Sequence, residues 1–411
     1  MRRPPRRVRR RRREGRHPAP AGPARRRVSA GREAQSMDAS LIVVVVVVTA
    51  LVFDFTNGFH DTANAMATSI ATGAFRPRTA VTIAACLNVV GAFLSVQVAN
   101  TISGGLVDET LIDPVVVFAG LVGAILWNLV TWYLGLPSSS SHALFGGLIG
   151  ATWVAGGVGA IDFDAVLNKI VLPAVLSPVV AALIAVVVTY LAFRISARAD
   201  PGTVDRGFTV AQRVSASMVA LAHGTNDAQK TMGVITLTLI TSGMLAPGSG
   251  PPSWVVLAAG LAIGLGTYMG GWRIIRTLGN RVSDIHLVQG FTAETTSTAV
   301  ILSSTHLGLP LSTTQVCTGS ILGAGAGRRL ASVHWGMAGR IALAWTFTLP
   351  SAAVVGAGAS WLAATGTAGV AVVALTGITL AAGLYAASRR DAVSATNVND
   401  RPLPAAVDVP A

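Results

Sequence analysis

The chain has 411 residues, of which 52% are hydrophobic and only 12% are charged. Soluble domains carry about 25% charged residues, so this composition excludes an ordinary soluble protein. Residues 1–36 hold 14 arginines and two glutamates, and they supply +12 of the formal net charge of +13. The rest of the chain is almost neutral, and the net charge is therefore no argument for nucleic-acid binding.

The N-terminal segment, residues 1–36, has no apolar periodicity, which predicts a disordered Arg-rich tail. It also lacks the apolar run of a signal peptide. We interpret it as translated upstream DNA, with Met37 as the true start of the protein. The alternative is a basic arm that binds anionic lipid or nucleic acid.

Apolar stretches long enough to cross a hydrocarbon layer of about 30 Å recur along the rest of the chain. Two short limbs, 139–156 and 311–327, are rich in glycine and begin with hydroxyl residues, which predicts hairpin-like pieces. If both limbs cross the bilayer, the chain makes about 11 crossings, within a range of 10–12, as a multi-pass protein of the plasma membrane. The nine longer stretches lie near 41–73, 79–102, 114–135, 170–193, 209–241, 253–270, 283–306, 338–358 and 366–387.

The charged loops fit this layout. With eleven crossings, every arginine-rich loop falls on one side of the bilayer, and the acidic loops near 108–113 and 162–164 fall on the other. Cytoplasmic loops collect Lys and Arg, so the N-terminus is predicted to lie outside. Fourteen arginines on an outside N-terminus would violate this rule, which favours Met37 as the start.

Two motifs occur twice, in the same order. NGFHDTANAMA (57–67) matches HGTNDAQKTMG (223–233), and GLPSSSSHALFGGLIGA (135–151) matches GLPLSTTQVCTGSILGA (308–324). Paired motifs of this kind indicate an internal duplication. Because five crossings separate the copies, the second repeat begins on the opposite side and is inverted.

Inverted repeats with broken helices around a midplane site are typical of transporters. We predict an all-α polytopic membrane protein in which Gly58 and Gly224 allow two motif helices to break. The predicted units are a first repeat at 37–200, a second repeat at 201–360, an extra membrane helix at 361–390 and a disordered tail at 391–411.

Acids inside the predicted spans are the first candidates for function. A central Asp costs about 2.5–3.5 kcal/mol in a membrane helix, so Asp61 and Asp227 require an explanation. Together with Asn57, Asn64 and Asn226 they supply hard oxygen ligands for Na⁺ or a divalent ion, or the two carboxylates carry protons. The alternative is that each Asp only caps a half-helix.

Three further residues are candidates for the coupling machinery. His60 is either a proton-coupling group or an interhelical hydrogen-bonding residue. Lys230 stands where the first repeat has Asn64, and its ammonium would replace a cation or pair with one of the two aspartates. That substitution disfavours two equivalent Na⁺ sites. Glu294 is either a gate or coupling group, or a structural partner for Ser and Thr.

The hydroxyl-rich limbs suit an oxyanion. A helix N-terminus preceded by several hydroxyls offers neutral donors and a positive dipole end. The alternative is that Ser138–Ser141 and Ser312–Thr314 only cap short helices. The candidate substrate-binding residues are Asn64, Ser140, Ser141, Thr313, Thr314 and Gln315.

The four motifs resemble the paired signatures of the inorganic phosphate transporter (PiT) family over most of 41–358. The resemblance implies secondary active uptake of phosphate, coupled to Na⁺ or H⁺, at a midplane site built from both repeats. Many members have Asn where this chain has His60 and Lys230, and these departures resemble the bacterial low-affinity branch, which is associated with proton symport of neutral metal–phosphate. The resemblance implies site roles for Asp61, Asn64, Asp227, Ser140, Ser141, Thr313 and Thr314.

We therefore expect a symporter that imports inorganic phosphate with H⁺ or Na⁺, and no enzyme. A sulfate transporter of the same fold, a passive channel and an intramembrane hydrolase are the alternatives. The hydrolase is disfavoured because Ser141 and His142 are adjacent on a helix, about 100° apart, and no G-x-S-x-G elbow is present. No cofactor or resident metal is expected, since two cysteines do not form a metal-binding pattern. The expected partners are phosphate and the lipid bilayer, without nucleic acid, and a homodimer is left open.

Overall fold

The structure, a computed structural model, describes residues 23–104, 113–328 and 333–400, with side chains from residue 40 onward. These ranges contain no β-strand, only an isolated bridge between Ser283 and Val333. The described helices are α1 (Pro23–Ala71), α2 (Pro77–Ala92), α3 (Gln97–Ser103), α4 (Pro114–Leu134), α5 (Ser140–Gly156), α6 (Phe163–Val166), α7 (Leu172–Ser196), α8 (Pro201–Thr241), α9 (Ser253–Met269), α10 (Trp272–Asn280), α11 (Leu287–His306), α12 (Thr313–Arg328), α13 (Trp335–Ala363) and α14 (Thr367–Ser388).

The described helices include five that are long and apolar enough to cross a membrane, and seven if each of two bent pairs counts as one span. On α7 and α14, large apolar side chains such as Leu183 and Ile378 remain more than 60% exposed. Such surfaces are unfavourable in water but suit lipid. The predicted all-α polytopic membrane fold is thus confirmed, while the number of eleven crossings stays a prediction.

The helices break at other places than predicted. α1 runs without interruption through Gly58, and α8 runs through Gly224, so the predicted breaks at these glycines are wrong. The chain bends instead by 65° between α2 and α3 and by 68° between α9 and α10. The two bent pairs occupy corresponding places in the two predicted repeats. At the second bend, Gly270 has a φ of 72°, a left-handed conformation that glycine adopts without strain.

The motif glycines serve close helix packing. A Cβ on Gly58 would lie 2.2 Å from the carbonyl oxygen of Ile263 in α9, and a Cβ on Gly224 would lie 2.3 Å from that of Asn88 in α2. Only a residue without a side chain lets the backbones approach this closely. Each motif helix therefore packs against the bent pair of the other repeat.

The two limbs pack in the same crossed manner. α5 lies against α13, where a Cβ on Gly150 would clash with the carbonyl oxygen of Ala353. α12 lies against α7, where a Cβ on Gly323 would clash with that of Ala182. Each limb follows α4 or α11 in the chain and packs on it, as predicted for hairpin-like pieces. The last long helix of each repeat thus supports the limb of the other.

The predicted tails differ from the structure at their inner ends. α1 begins at Pro23, within the segment 1–36 that was predicted to be disordered, and that prediction stays a prediction. At the other end, Arg276 donates to the carbonyl oxygen of Asn397 at 2.5 Å, and Val398 is buried. The segment 391–400 is therefore held against the helices and is not disordered. Residues 1–22 and 401–411 of the predicted tails lie outside the described residues.

We expect Gly58→Ala to destabilise the protein, because the new Cβ would force α1 away from the backbone of α9. Overpacking of this kind costs about 1–3 kcal/mol. The control is Gly358→Ala in α13, where a Cβ meets nothing within 4 Å. The measurement is the thermal unfolding midpoint of the purified protein in detergent. Equal midpoints for the two variants would contradict this account of the packing.

Candidate functional site

Two buried carboxylates from different repeats lie at the centre of the candidate site. Asp61 of α1 and Asp227 of α8 are 2% and 0% exposed. His223 of α8 faces both, because its Nε2 lies 3.9 Å from Asp61 Oδ2 and 3.2 Å from Asp227 Oδ2. The structure therefore brings together the two acids that the duplication pairs in sequence.

Asp227 is surrounded by donors. Lys230 Nζ lies 2.5 Å from its Oδ1, one helical turn further along α8. Thr313 Oγ1 donates to its Oδ2 at 3.1 Å, and Asn57 Nδ2 donates to the same oxygen at 3.4 Å. Of the two roles considered for Lys230, the structure shows ion pairing, and the pair is almost inaccessible to water. A buried carboxylate requires such partners because desolvation is costly.

Asp61 has a different set of partners. His60 Nδ1 lies 2.5 Å from its Oδ1, and Thr314 Oγ1 donates to its Oδ2 at 3.2 Å. Asn64 Nδ2 in turn donates to Thr314 Oγ1 at 3.0 Å. Neighbouring hydroxyls of α12, on Thr313 and Thr314, thus contact one acid of each repeat.

His60 links the acid to the first hairpin. Its Nε2 lies 3.3 Å from Thr131 Oγ1 in α4 and 3.4 Å from Ser138 Oγ, and these two hydroxyls lie 2.7 Å apart. Since Nδ1 contacts Asp61, both ring nitrogens have polar partners. His60 therefore forms interhelical contacts and also connects a carboxylate to a chain of exchangeable hydroxyl protons.

The limbs are capped by one serine each. Ser139 Oγ accepts from the backbone N–H of His142 at 3.2 Å, and Ser312 Oγ accepts from that of Gln315 at 3.3 Å. The two serines correspond in the repeat alignment, so both limbs start in the same way. Capping therefore accounts for these serines and leaves the hydroxyls that follow them available for other contacts.

The hydroxyls that follow the capping serines differ in their contacts between the two limbs. On the first limb, Ser141 Oγ donates to the carbonyl oxygen of Leu311 at 3.4 Å, and the buried Ser140 Oγ has no hydrogen-bond partner. The buried oxygens Asn64 Oδ1 and Gln315 Oε1 also lack one. An unpaired buried polar group costs about 1–3 kcal/mol, so such groups mark positions suited to a polar ligand.

Two predicted site residues form contacts away from the acid pair. Asn226 Nδ2 donates to Thr305 Oγ1 of α11 at 2.8 Å. Glu294 accepts from three side chains, those of Thr68 at 2.5 Å, Ser215 at 2.5 Å and Gln212 at 3.1 Å. The structure thus places Glu294 among hydroxyl and amide donors, an environment that fits the predicted role as a structural partner for Ser and Thr.

His223 is a site residue that the sequence interpretation missed. It lies within the repeated motif and aligns with Asn57, but only the fold shows that it sits between the acids. Its Nδ1 lies 3.2 Å from Asn88 Oδ1, which orients the ring. One ligand atom from each of Asp61, His223 and Asp227 lies within 4.8 Å of the others, so the group could hold a metal ion. Carboxylate oxygens with an imidazole nitrogen suit several divalent ions.

Known proteins resemble the chain in sequence and in fold. A family model described as "Phosphate transporter family" matches residues 57–356. A probable low-affinity inorganic phosphate transporter of Mycobacterium tuberculosis (strain ATCC 25618 / H37Rv) is 55% identical over 317 residues, which are 77% of this chain and 76% of the relative. A protein of the same description from Bacillus subtilis (strain 168) is 43% identical over 324 residues, 78% of this chain and 97% of the relative.

A solved structure has a similar fold. It is titled "The sodium-dependent phosphate transporter", and the comparison gives a TM-score of 0.70 at 24% sequence identity. The match covers 78% of this chain and 98% of the other. At this identity the likeness concerns the fold alone.

We expect Lys230→Met to destabilise the protein by about 3 kcal/mol, because it leaves the Asp227 carboxylate buried without its ammonium partner. The double variant Asp227→Asn/Lys230→Met removes both charges and should be more stable than Lys230→Met alone. Chemical denaturation in detergent measures both. Arg198→Met, at an exposed position, is the control. A double variant less stable than the single one would contradict the ion pair.

Proposed function

We propose, on the premise that this chain belongs to the phosphate transporter family, that it imports inorganic phosphate by symport with protons. Family membership confirms the resemblance drawn from the paired motifs and the location as a multi-pass protein of the plasma membrane. The observation that carries the choice of protons is the 2.5 Å ion pair between Lys230 and Asp227.

The ion pair argues against a Na⁺ at Asp227. The Lys230 ammonium lies 2.5 Å from Oδ1, where a bound cation would otherwise lie, and it neutralises the carboxylate. A Na⁺ bound to Oδ1 would have to displace Lys230 into a buried position without a counter-charge, and the neutralised carboxylate offers a single positive charge little attraction at Oδ2. On the other acid, Asp61, the contact with His60 supplies a second group that exchanges protons. Both features favour H⁺ as the coupling ion.

The hydroxyls support phosphate as the solute. Thr313 and Thr314 present neutral donors at the start of α12, next to the acids and within reach of the helix N-terminus. Neutral donors bind an oxyanion less tightly than an Arg ion pair would, which favours its release. Phosphate keeps a proton near neutral pH and can donate it to Asp61 or Asp227, whereas sulfate has none. Nearby carboxylates therefore favour phosphate over sulfate.

The geometry of the acid pair also supports transport of phosphate together with a divalent metal ion. Lys230 contacts Asp227 Oδ1 only, so the other oxygen, Oδ2, could hold a divalent ion together with Asp61 and His223, and the double charge is attracted more strongly than that of Na⁺. We propose that such an ion travels as neutral metal–phosphate, with the ion as part of the substrate. Neutralising the anion lowers the cost of moving it through a low-dielectric site.

The geometry gives no support to the hydrolase alternative. The Ser141 hydroxyl donates to the backbone of Leu311 rather than to His142. A nucleophilic serine requires a base within hydrogen-bond reach. The family to which the chain belongs consists of transporters, in agreement with the expectation that it is no enzyme.

The proposal is tested by uptake of labelled phosphate into proteoliposomes under separately imposed gradients. We expect an inward proton gradient to drive accumulation and a Na⁺ gradient of equal size to have no effect. Asp61→Ala and Asp227→Ala should abolish uptake while the protein still inserts. Accumulation driven by Na⁺ alone would contradict proton symport, and uptake that persists after all gradients collapse would indicate a channel. Strong competition by sulfate would indicate the sulfate alternative.

We expect Thr314→Val to raise the KM for phosphate about five- to tenfold, because one charge-assisted donor is lost at about 1–1.5 kcal/mol. The control is Thr346→Val in α13, whose hydroxyl bonds only to Ala342 of its own helix. Initial uptake rates at varied phosphate concentration measure the effect. An unchanged KM would argue against contact between this hydroxyl and the anion.

A further inference from the structure

Asp54 is a buried acid outside the contacts described above. It lies in the middle of α1 and is 0% exposed. Neither of its carboxyl oxygens has a hydrogen-bond partner. Thr231 of α8 is a polar neighbour of Asp54, and its buried hydroxyl likewise has no hydrogen-bond partner. An unpaired carboxyl group in a membrane interior is costly, so its presence points to a function.

The position of Asp54 relates it to the acid pair. It precedes Asp61 by seven residues, which are nearly two turns of helix, so both side chains leave α1 on the same face about 10 Å apart along the axis. From α8, the charged groups that act on Asp54 are Asp227, His223 and Lys230. Asp54 therefore belongs to the electrostatic surroundings of the site without bonding to any of its members.

The duplication does not explain this residue. In the repeat alignment Asp54 corresponds to Ala220, and Thr231 corresponds to Ala65. Both alanines are fully or almost fully buried, so the fold accepts a small apolar side chain at either place. A carboxyl group is thus present in only one of two equivalent environments, which points to a role beyond packing.

An ionised carboxylate at this place would have no bonded cation, unlike Asp227, and it accepts none of the hydrogen bonds that Asp61 and Asp227 accept. The neutral acid avoids the cost of a buried, unpaired charge. The fully buried surroundings of Asp54 therefore suit the protonated form, and an arrangement that admits water suits the ionised form. Such a difference between conformations is what a proton-coupled transporter requires of its proton carrier.

We propose that Asp54 binds the proton that is transported with phosphate. This inference rests on the proposed proton symport. One proton from water on the entry side adds to the carboxylate and forms an O–H bond. The same bond breaks on the exit side and returns the proton to water, so no other reactant is needed. Asp61 and Asp227 then serve solute binding, and Asp54 serves coupling.

The test compares two activities of Asp54→Asn in proteoliposomes. The amide imitates the neutral acid but cannot release a proton. We expect exchange of labelled for unlabelled phosphate at equal pH to remain within about twofold of wild type, since the protonated form still cycles. A gradient of one pH unit should concentrate phosphate inside wild-type proteoliposomes about tenfold per coupled proton. The Asp54→Asn variant should show no such concentration of phosphate. Asp54→Glu should restore part of it.

The control is Asp113→Asn, which changes an exposed acid at the start of α4 and keeps the cap on the N–H of Val115. It should leave both activities unchanged. Undiminished accumulation by Asp54→Asn would overturn the proposal, and so would loss of exchange and accumulation together in both Asp54 variants. If wild type itself ignores the proton gradient, the proposed proton symport fails as well, and that result is visible before any variant is compared.

Discussion

The structure depends on the burial of two carboxylates, one from each repeat, around the same histidine in the protein interior. Asp61 and Asp227 are almost inaccessible, and neither would remain there without partners, because an unpaired charge in this environment is prohibitively costly. The partners are one ammonium, two imidazoles and the hydroxyls at the start of one limb. Two carboxylates face one ammonium and two imidazoles, so the net charge of the cluster depends on the protonation of the histidines and on any bound cation. This electrostatic balance connects the fold to transport.

Close packing of helix backbones keeps these groups at matching depths in the two repeats. Gly58 and Gly224 let each motif helix approach the bent pair of the other repeat, and the limbs are held in the same crossed way. Backbone contact fixes the depth of each acid to within the size of a methyl group, since a Cβ would already push the helices apart.

The sequence alone predicted the pairing of the acids, because duplicated motifs must occupy equivalent positions in equivalent folds. It misplaced the helix breaks, since a glycine in a span serves either a bend or a close approach, and only the neighbouring helix decides which. It missed His223 because the aligned residue is an asparagine, and missed Asp54 because no repeat partner drew attention to it. The order of residues 391–400 comes from Arg276 and Asn397, 121 positions apart, which no local pattern relates.

The differences between the repeats carry as much information as their likeness. An inverted repeat changes its accessible side when its halves exchange conformations, and two identical halves would make both states equal in energy. Four of the mismatches within or beside the first motif set a titratable side chain against a neutral one. An exchange of conformations would therefore alter the surroundings of these titratable groups, and their protonation would then shift the balance between the two states. The mismatched pairs are Asp54 with Ala220, Asn57 with His223, His60 with Asn226, and Asn64 with Lys230.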